Sequence, residues 1–106
     1  MLKAKGKIIT MTEGDYGLTL PITINGAVFE KNDEIKIIIK ENVNGKEIFS
    51  KSYKNIENNI INFGFTKKES ELLSPKYYVY IMDWYREETF LCNIIKDGKL
   101  LVEDKW

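Results

Sequence analysis

The chain has 106 residues, of which 43% are hydrophobic and 30% are charged, proportions typical of one globular domain. Its 16 lysines and arginines balance 16 aspartates and glutamates, so the net charge of zero creates no field that would attract nucleic acid or an anionic membrane. The absence of histidine, together with a single cysteine, excludes the usual catalytic triads and thiolate zinc clusters. We therefore predict a single domain over residues 1–106 that is not an enzyme and holds no cofactor or metal.

Four segments along the chain show the two-residue period that is typical of strands. In the first, lysines alternate, an arrangement that would discourage unwanted pairing at a sheet edge. The second contains Pro21, which cannot donate to a neighbouring strand and so indicates an edge strand or a bulge at that position. The alternating positions are Lys3, Lys5 and Lys7, then Leu18, Leu20, Ile22 and Ile24, then Ile35, Ile37 and Ile39, and last Ile61, Phe63 and Phe65.

Turn and helix signals lie between and after these segments. The dipeptides Asn44-Gly45 and Asp97-Gly98 accept the positive φ angles of two-residue hairpins, so we predict a hairpin at each. Thr66 and Glu69 have the spacing of a capping box, which predicts a short helix. The sequence therefore predicts an Ig-like antiparallel β-sandwich of seven to eight strands, with one short helical turn before the strand of Tyr77.

The stretch YYVYIMDWY, residues 77–85, is apolar or aromatic at every position except Asp83. Just before it, Leu72-x-x-Pro75-x-Tyr77 resembles the tyrosine corner of Greek-key sandwiches, in which the tyrosine hydroxyl bonds to the connecting backbone. We therefore predict that Leu72 and Tyr77 form such a corner. This assignment puts the face of Tyr77, with Val79 and Ile81, in the core.

The opposite face of the same strand then becomes a candidate interface. Tyrosine, tryptophan and methionine are enriched where proteins contact one another. Two alternatives remain open: a loop or the C-terminal segment ending in Trp106 covers the face, or the rings form a platform for stacking sugars. The predicted interface residues are Tyr78, Tyr80, Met82 and Trp84.

Carboxylates gather in two predicted loops, Glu13 with Asp15, and Glu30 with Asp33 and Glu34. Paired carboxylates can cleave glycosides or bind Ca²⁺, but this spacing matches no EF-hand loop. Aspartates at such positions are typical of turns in which the carboxylate accepts a bond from nearby backbone. We predict this turn role for Asp15 and Asp33.

Cys92 and the N-terminal segment bear on location. Cys92 lies in the apolar segment LCNII, which predicts that it acts as a small hydrophobe rather than as a reactive thiol. An unpaired cysteine in a small domain favours synthesis in a reducing cytoplasm. The basic N-terminus has no apolar run long enough for a signal peptide, and no stretch approaches the ~20 apolar residues of a membrane span. We expect neither export nor membrane association.

Motifs along almost the whole chain resemble one known family. In chain order they are GDYGLTLPITI, Phe29, NDEIKIIIK, ENVNGKEIFSK, IINFGF, TKKES, PKYYVYI and DGKLLVED. Their order is similar to that in the N-terminal domain of the phage baseplate upper protein family, found in tailed phages and prophages of Gram-positive bacteria. Two positions depart from the family pattern, since Pro75 replaces a glycine and Tyr80 replaces an aspartate.

The resemblance implies a structural or adaptor component of a tailed phage or prophage-derived particle, in its baseplate or tail. It implies that the protein is made in the bacterial cytoplasm and ends in the virion. Its expected partners are other virion proteins and further copies of the same chain, bound by protein–protein docking. A capsid decoration protein is the close alternative, and a carbohydrate-binding module is the more distant one.

Overall fold

The computed structural model describes residues 2–105, and in these it has eight strands and one short helix. The elements are β1 (Lys3–Lys5), β2 (Ile8–Thr12), β3 (Thr19–Thr23), β4 (Asp33–Lys40), β5 (Glu47–Lys54), β6 (Ile60–Gly64), α1 (Lys67–Ser70), β7 (Lys76–Arg86) and β8 (Thr89–Glu103). The prediction of an all-β sandwich with one helical turn before the strand of Tyr77 is confirmed.

The strands form one large sheet and one small sheet. Six strands pair in the order β1-β2-β8-β7-β4-β5, whereas β3 and β6 make a separate two-stranded sheet. Within the large sheet β2 runs parallel to β8, and the other neighbouring strands are antiparallel. Since β3 pairs only with β6 in the described chain, Pro21 lies in an edge strand, as predicted.

The core lies between the small sheet and one face of the large sheet. Ile35, Ile37 and Ile39 of β4 are completely buried, and the residues between them are only half-buried. From the small sheet, Ile61 and Phe63 of β6 enter the same apolar cluster. Burying each of these side chains contributes about 1.5–3 kcal/mol, so the two-residue period of these strands determines which side of each strand is inside.

The predicted inward face of the second segment is only partly correct. Ile24 is buried, and Leu20 and Ile22 pack against the core while half-buried. Leu18, however, is 50% exposed, because it precedes the first residue of β3 and lies outside the paired stretch.

Helix α1 begins as the sequence predicts. The Thr66 hydroxyl accepts the backbone N–H of Glu69 at 3.1 Å, and the Glu69 carboxylate accepts the backbone N–H of Thr66 at 2.8 Å. The same carboxylate forms an ion pair with Lys51 of β5 at 2.7 Å. The capping box therefore connects the helix to the edge of the large sheet.

Replacing Thr66 with alanine is expected to lower the free energy of unfolding by about 1 kcal/mol, because the N–H of Glu69 loses its acceptor. Chemical denaturation of the two proteins measures the difference. Thr66→Ser is the matched control and keeps most of the stability, since serine offers the same hydroxyl. An equal loss in both variants would contradict the capping role.

One predicted hairpin is present but lacks the predicted two-residue turn, and the other is absent. Asn44-Gly45 lies in the loop between β4 and β5, which spans residues 41–46 and is closed by the N–H of Glu41 donating to the carbonyl of Lys46 at 3.0 Å. Gly45 does not have a positive φ angle, and its N–H donates to the carbonyl of Asn42 at 3.0 Å. At Asp97-Gly98, by contrast, β8 continues without turning. The reason is tertiary: Gly98 lies opposite Tyr80 of β7, where a side chain would meet the tyrosine ring.

The turn that does join β7 to β8 consists of Glu87 and Glu88. Both residues have positive φ angles, 50° and 68°. Two consecutive positive φ angles are those of a type I′ hairpin turn, which normally favours Asn-Gly. Two glutamates give no such signal, so the sequence alone did not locate this turn.

Candidate docking surface

The face of β7 that was predicted to be an interface is inside the molecule. Tyr78, Tyr80 and Met82 are 3%, 1% and 0% exposed, and Trp84 is half-buried against the core. They share the core cluster with residues of the small sheet, which covers this face. The prediction that these four residues are available for docking is therefore wrong: the face is covered within the monomer, by the small sheet rather than by the loop or C-terminal segment named as the alternative. Trp106, named in that alternative, lies outside the described residues.

The predicted tyrosine corner is wrong by one residue. Tyr77 is 58% exposed and Leu72 is 54% exposed, so neither packs in the core. The next residue in each case has the predicted role instead. Leu73 is 3% exposed, and the Tyr78 hydroxyl accepts a hydrogen bond from the backbone N–H of Ser74 at 2.8 Å. The corner's hydrogen bond to the connecting backbone is present, but Tyr78 makes it.

The side chain of buried Tyr80, on β7, contacts the turn between β1 and β2 near the edge of the large sheet. Its hydroxyl donates to the backbone carbonyl of Lys7 at 2.9 Å, which fixes the turn between β1 and β2. Burial raises the pKa of Tyr80 to about 12. A phenol that buries its ring and satisfies its hydroxyl is a structural residue, so this ring anchors the N-terminal hairpin.

Asp33, predicted to be a turn residue, does close a turn by accepting the backbone N–H of Glu30 at 2.8 Å. It is also 1% exposed and accepts three further bonds, from Trp84 Nε1 at 3.0 Å, Arg86 Nε at 2.9 Å and Arg86 Nη2 at 3.1 Å. These bonds, led by that from Arg86, outweigh desolvation and lower the pKa of Asp33 to about 2. The carboxylate thus joins the start of β4 to the end of β7.

The other carboxylate loop shows the same local geometry in a simpler form. Asp15 accepts the backbone N–H of Thr12 at 3.0 Å while its own N–H donates to the Thr12 carbonyl. The predicted turn role of Asp15 is confirmed. Among the described residues, no three potential metal ligands of the histidine, cysteine, aspartate or glutamate type come together.

The face of the large sheet that points away from the small sheet is partly apolar. We call it the outer face. Its members follow from strand register. Along β4 and β7 they alternate with the residues that face the core, and residues directly opposite each other on neighbouring strands point to the same face. The outer face comprises Tyr77, Val79, Ile81, Asp83 and Tyr85 of β7, Ile38 of β4, and Phe90 and Leu101 of β8.

Cross-strand pairs make the outer face continuous. Tyr77 lies opposite Leu101, and Ile81 lies opposite Ile38. Nearer the hairpin end, the ring of Tyr85 meets the ring of Phe90 edge-on, with centroids 5.7 Å apart. Apolar side chains that line a sheet face pointing away from the core are typical of interaction surfaces.

Lysines border this apolar stripe. Lys36 and Lys40 of β4 and Lys99 of β8 share the outer face, by register with Asp83 and Val79. Their long alkyl chains can lie along the neighbouring apolar residues while their charges remain in water.

One residue in the sequence indicates the correct face. Asp83 is the single polar residue in the stretch 77–85 and has the same parity as Tyr77 and Val79. Strand alternation therefore places Tyr77 on a polar-tolerant face, the one that points outward. In the structure Asp83 is only 7% exposed, and its carboxylate accepts a hydrogen bond from Asn93 beside it on β8.

A second exposed feature is the N-terminal half of β8. In the described chain, β2 pairs with β8 only over the stretch opposite Ile8–Thr12, namely residues 99–103. Residues 89–96 pair with β7 on one side, and no strand within residues 2–105 pairs with them on the other. We call residues 89–96 the free edge. Phe90 and Leu91, in this stretch, are 48% and 42% exposed.

Cys92 also lies in the free edge and is exposed. The residue predicted to be a small hydrophobe therefore lies at the surface, outside the apolar core. Within the apolar segment LCNII, only Ile94 and Ile95 pack against the core, whereas Leu91 and Cys92 are exposed.

Together, the fold and this surface define a small all-β sandwich whose candidate site is a docking surface, formed by the outer face and the free edge. The chain matches no protein-family model, no curated protein and no solved structure. Across residues 2–105, no helix has the length and apolar character needed to cross a membrane.

Proposed function

We propose that this chain is a non-enzymatic structural or adaptor component of a tailed phage or prophage-derived particle, in the baseplate or tail, and that it acts by protein–protein docking. The order of the sequence motifs supports the particle, because it resembles that of the baseplate upper protein family. One structural observation supports docking: the outer face carries cross-strand apolar pairs, such as Tyr77 with Leu101, on the side of the large sheet away from the core.

The outer face, rather than the buried aromatic face, carries the contact in this proposal. Exposed Tyr77 is its most accessible aromatic anchor, and aromatic residues often dominate the energy of protein contacts. The lysines beside it provide a polar border, as is usual around the apolar centre of an interface. The partner is another virion protein, with apolar residues that match the stripe and acidic residues that match the lysines.

Quantitative mass spectrometry of gradient-purified particles from an induced lysate tests the location. We expect the chain at roughly a dozen copies per particle, the order of magnitude of baseplate and tail components built on closed rotational symmetry. Hundreds of copies, comparable with the capsid protein, would indicate a shell decoration protein instead. Absence from particles in which other virion proteins are detected would overturn the proposal.

The contact itself is tested by Ile81→Lys, which places a charge at the centre of the outer face without touching the buried side of β7. We expect incorporation into particles to fall at least tenfold, roughly the 1.4 kcal/mol that a factor of ten requires. Val43→Lys, at a position 70% exposed in the loop between β4 and β5, is the matched control. Normal incorporation of a folded Ile81→Lys variant would show that the outer face is not the contact.

A further inference from the structure

The chain contains two Asn-Gly pairs, and the fold places them in different surroundings. Asn25-Gly26 lies in the loop between β3 and β4, and Asn44-Gly45 lies in the loop between β4 and β5. Both asparagines are exposed, and each follows a β-branched residue. The local sequences are therefore matched, so a difference in the chemistry of the two pairs must come from the fold.

An asparagine that precedes glycine can lose its side-chain amide without an enzyme. The backbone nitrogen of the glycine attacks the side-chain carbonyl carbon, and the new C–N bond closes a cyclic succinimide. The amide nitrogen leaves as ammonia, taking up the proton that the glycine nitrogen releases. Water then opens the ring at either carbonyl and yields aspartate or isoaspartate. Glycine favours this attack because it has no side chain to shield its nitrogen and restricts the backbone least.

The attacking nitrogen of Gly45 is occupied. Its N–H donates to the carbonyl of Asn42 at 3.0 Å, and the N–H of Asn44 donates to Asn42 Oδ1 at 3.2 Å. The same Asn42 side chain crowds the glycine, since a Cβ at Gly45 would lie 2.8 Å from Oδ1. Reaction at Asn44 therefore requires this turn to open first.

The attacking nitrogen of Gly26 is free. Asn25 and Gly26 form an exposed turn after β3, and Gly26 has a φ angle of 80°, which suits the third position of a type II turn. Among residues 2–105, none accepts a hydrogen bond from the Gly26 N–H. Apart from its chain neighbours, nothing lies within 4 Å of the place that a Cβ would take.

The two ends of this turn are held by Asn59, in the loop between β5 and β6. The N–H of Ile24 donates to the Asn59 carbonyl at 2.8 Å. Asn59 Nδ2 donates to the carbonyl of Ile24 at 3.0 Å and to the carbonyl of Ala27 at 2.8 Å. The turn is therefore clamped at its ends and open at its centre.

We propose that Asn25 is a site of spontaneous deamidation, with water as the co-reactant, and that the fold protects Asn44. This inference goes beyond the proposed function and does not depend on it. Isoaspartate routes the main chain through the former side chain and so adds a methylene group to the backbone. Because Asn59 holds both ends of the turn, the longer backbone strains these bonds and loosens Ile24, which is otherwise buried.

Peptide mapping by mass spectrometry tests the selectivity. The purified chain is incubated in mildly alkaline buffer, one portion folded and one portion unfolded in urea. In the folded chain, Asn25 is expected to react at least about fivefold faster than Asn44, the factor that one backbone hydrogen bond provides. In urea the two are expected to react at closely similar rates. Equal rates in the folded chain, faster reaction at Asn44, or product at Asn25 only in urea would overturn the proposal.

Asn42→Ala tests why Asn44 is protected. This exposed substitution removes the acceptor of the Asn44 N–H and the crowding at Gly45. We expect the rate at Asn44 in the folded chain to rise at least about twofold and the rate at Asn25 to stay the same. An unchanged rate at Asn44 would contradict protection by the turn.

Hydrogen exchange tests the consequence for the fold. Ion exchange separates the products from the unreacted chain by their added negative charge, and the aspartate product, whose backbone is unchanged, is the matched control for the isoaspartate product. The N–H of Ile24 is expected to exchange at least about tenfold faster in the isoaspartate product than in the aspartate product. Equal exchange in both would contradict the loosening of the turn.

Discussion

Replacing Gly98 with alanine is expected to lower the free energy of unfolding by about 3 kcal/mol, the upper part of the range for overpacked cores. A methyl group at this position would overlap the ring of Tyr80, which lies opposite it on β7. The ring has little freedom to move, because it is 1% exposed and its hydroxyl is bonded to the carbonyl of Lys7. The clash must therefore be relieved by separating β7 from β8 or by breaking that hydrogen bond.

Urea denaturation of Gly98→Ala, beside the original chain, measures this loss. Lys99→Ala is the matched control at the neighbouring, exposed position and is expected to change stability by less than about 0.5 kcal/mol. In a Tyr80→Leu background the added methyl has room, so the further cost of Gly98→Ala is expected to fall well below its cost in the original chain. A Gly98→Ala variant as stable as Lys99→Ala would contradict the close approach.

The same pair of residues explains why one turn was predicted in the wrong place. Asp-Gly marks a hairpin because glycine tolerates positive φ angles, but glycine also makes room for a large side chain from a neighbouring strand. Both causes produce the same Asp-Gly dipeptide in the sequence. Only the pairing of Gly98 with Tyr80, which lies 18 residues earlier in the chain, shows which cause applies here.

Features with a purely local cause were predictable. The capping box at Thr66 depends on residues three apart, and the burial of Ile35, Ile37 and Ile39 depends on alternation with polar neighbours. Both predictions are confirmed because no distant contact competes with the local preference.

The register of β7 shows where local patterns fail. Both sides of this strand are apolar, so alternation does not identify the core face, and an error of one residue moves every side chain to the opposite face. The Leu72–Tyr77 spacing led to that error, and the predicted core and interface changed places. Within the stretch 77–85 only Asp83 distinguishes the two faces. The interface hypothesis thereby moves from Tyr78 and its neighbours to the outer face.

A second large effect is expected from Asp33→Asn, which should lower the free energy of unfolding by about 2 kcal/mol near neutral pH. The carboxylate accepts bonds from Trp84, Arg86 and the backbone of Glu30, and hydrogen bonds to a charged group each contribute about 1.5–3 kcal/mol. Asparagine has the same shape but keeps only one acceptor oxygen and brings an NH₂ group toward other donors. Asp97→Asn, in the exposed ion pair with Lys7, is the matched control and should change stability little.

The pH dependence of this loss distinguishes the charge of Asp33 from its shape. Arg86 and the other donors hold the pKa of Asp33 at about 2 in the folded chain, below the value of 3.8 that is usual for an aspartate. A carboxyl whose pKa is lowered by folding stabilises the protein above its unfolded pKa and loses this contribution as the pH falls through its folded pKa. The stability gap between the original chain and Asp33→Asn should therefore stay constant above about pH 5 and narrow by roughly 1–2 kcal/mol between about pH 4 and pH 2. Denaturation curves of both proteins across this range measure the gap, and a gap that does not depend on pH would assign the effect to packing rather than to the charge.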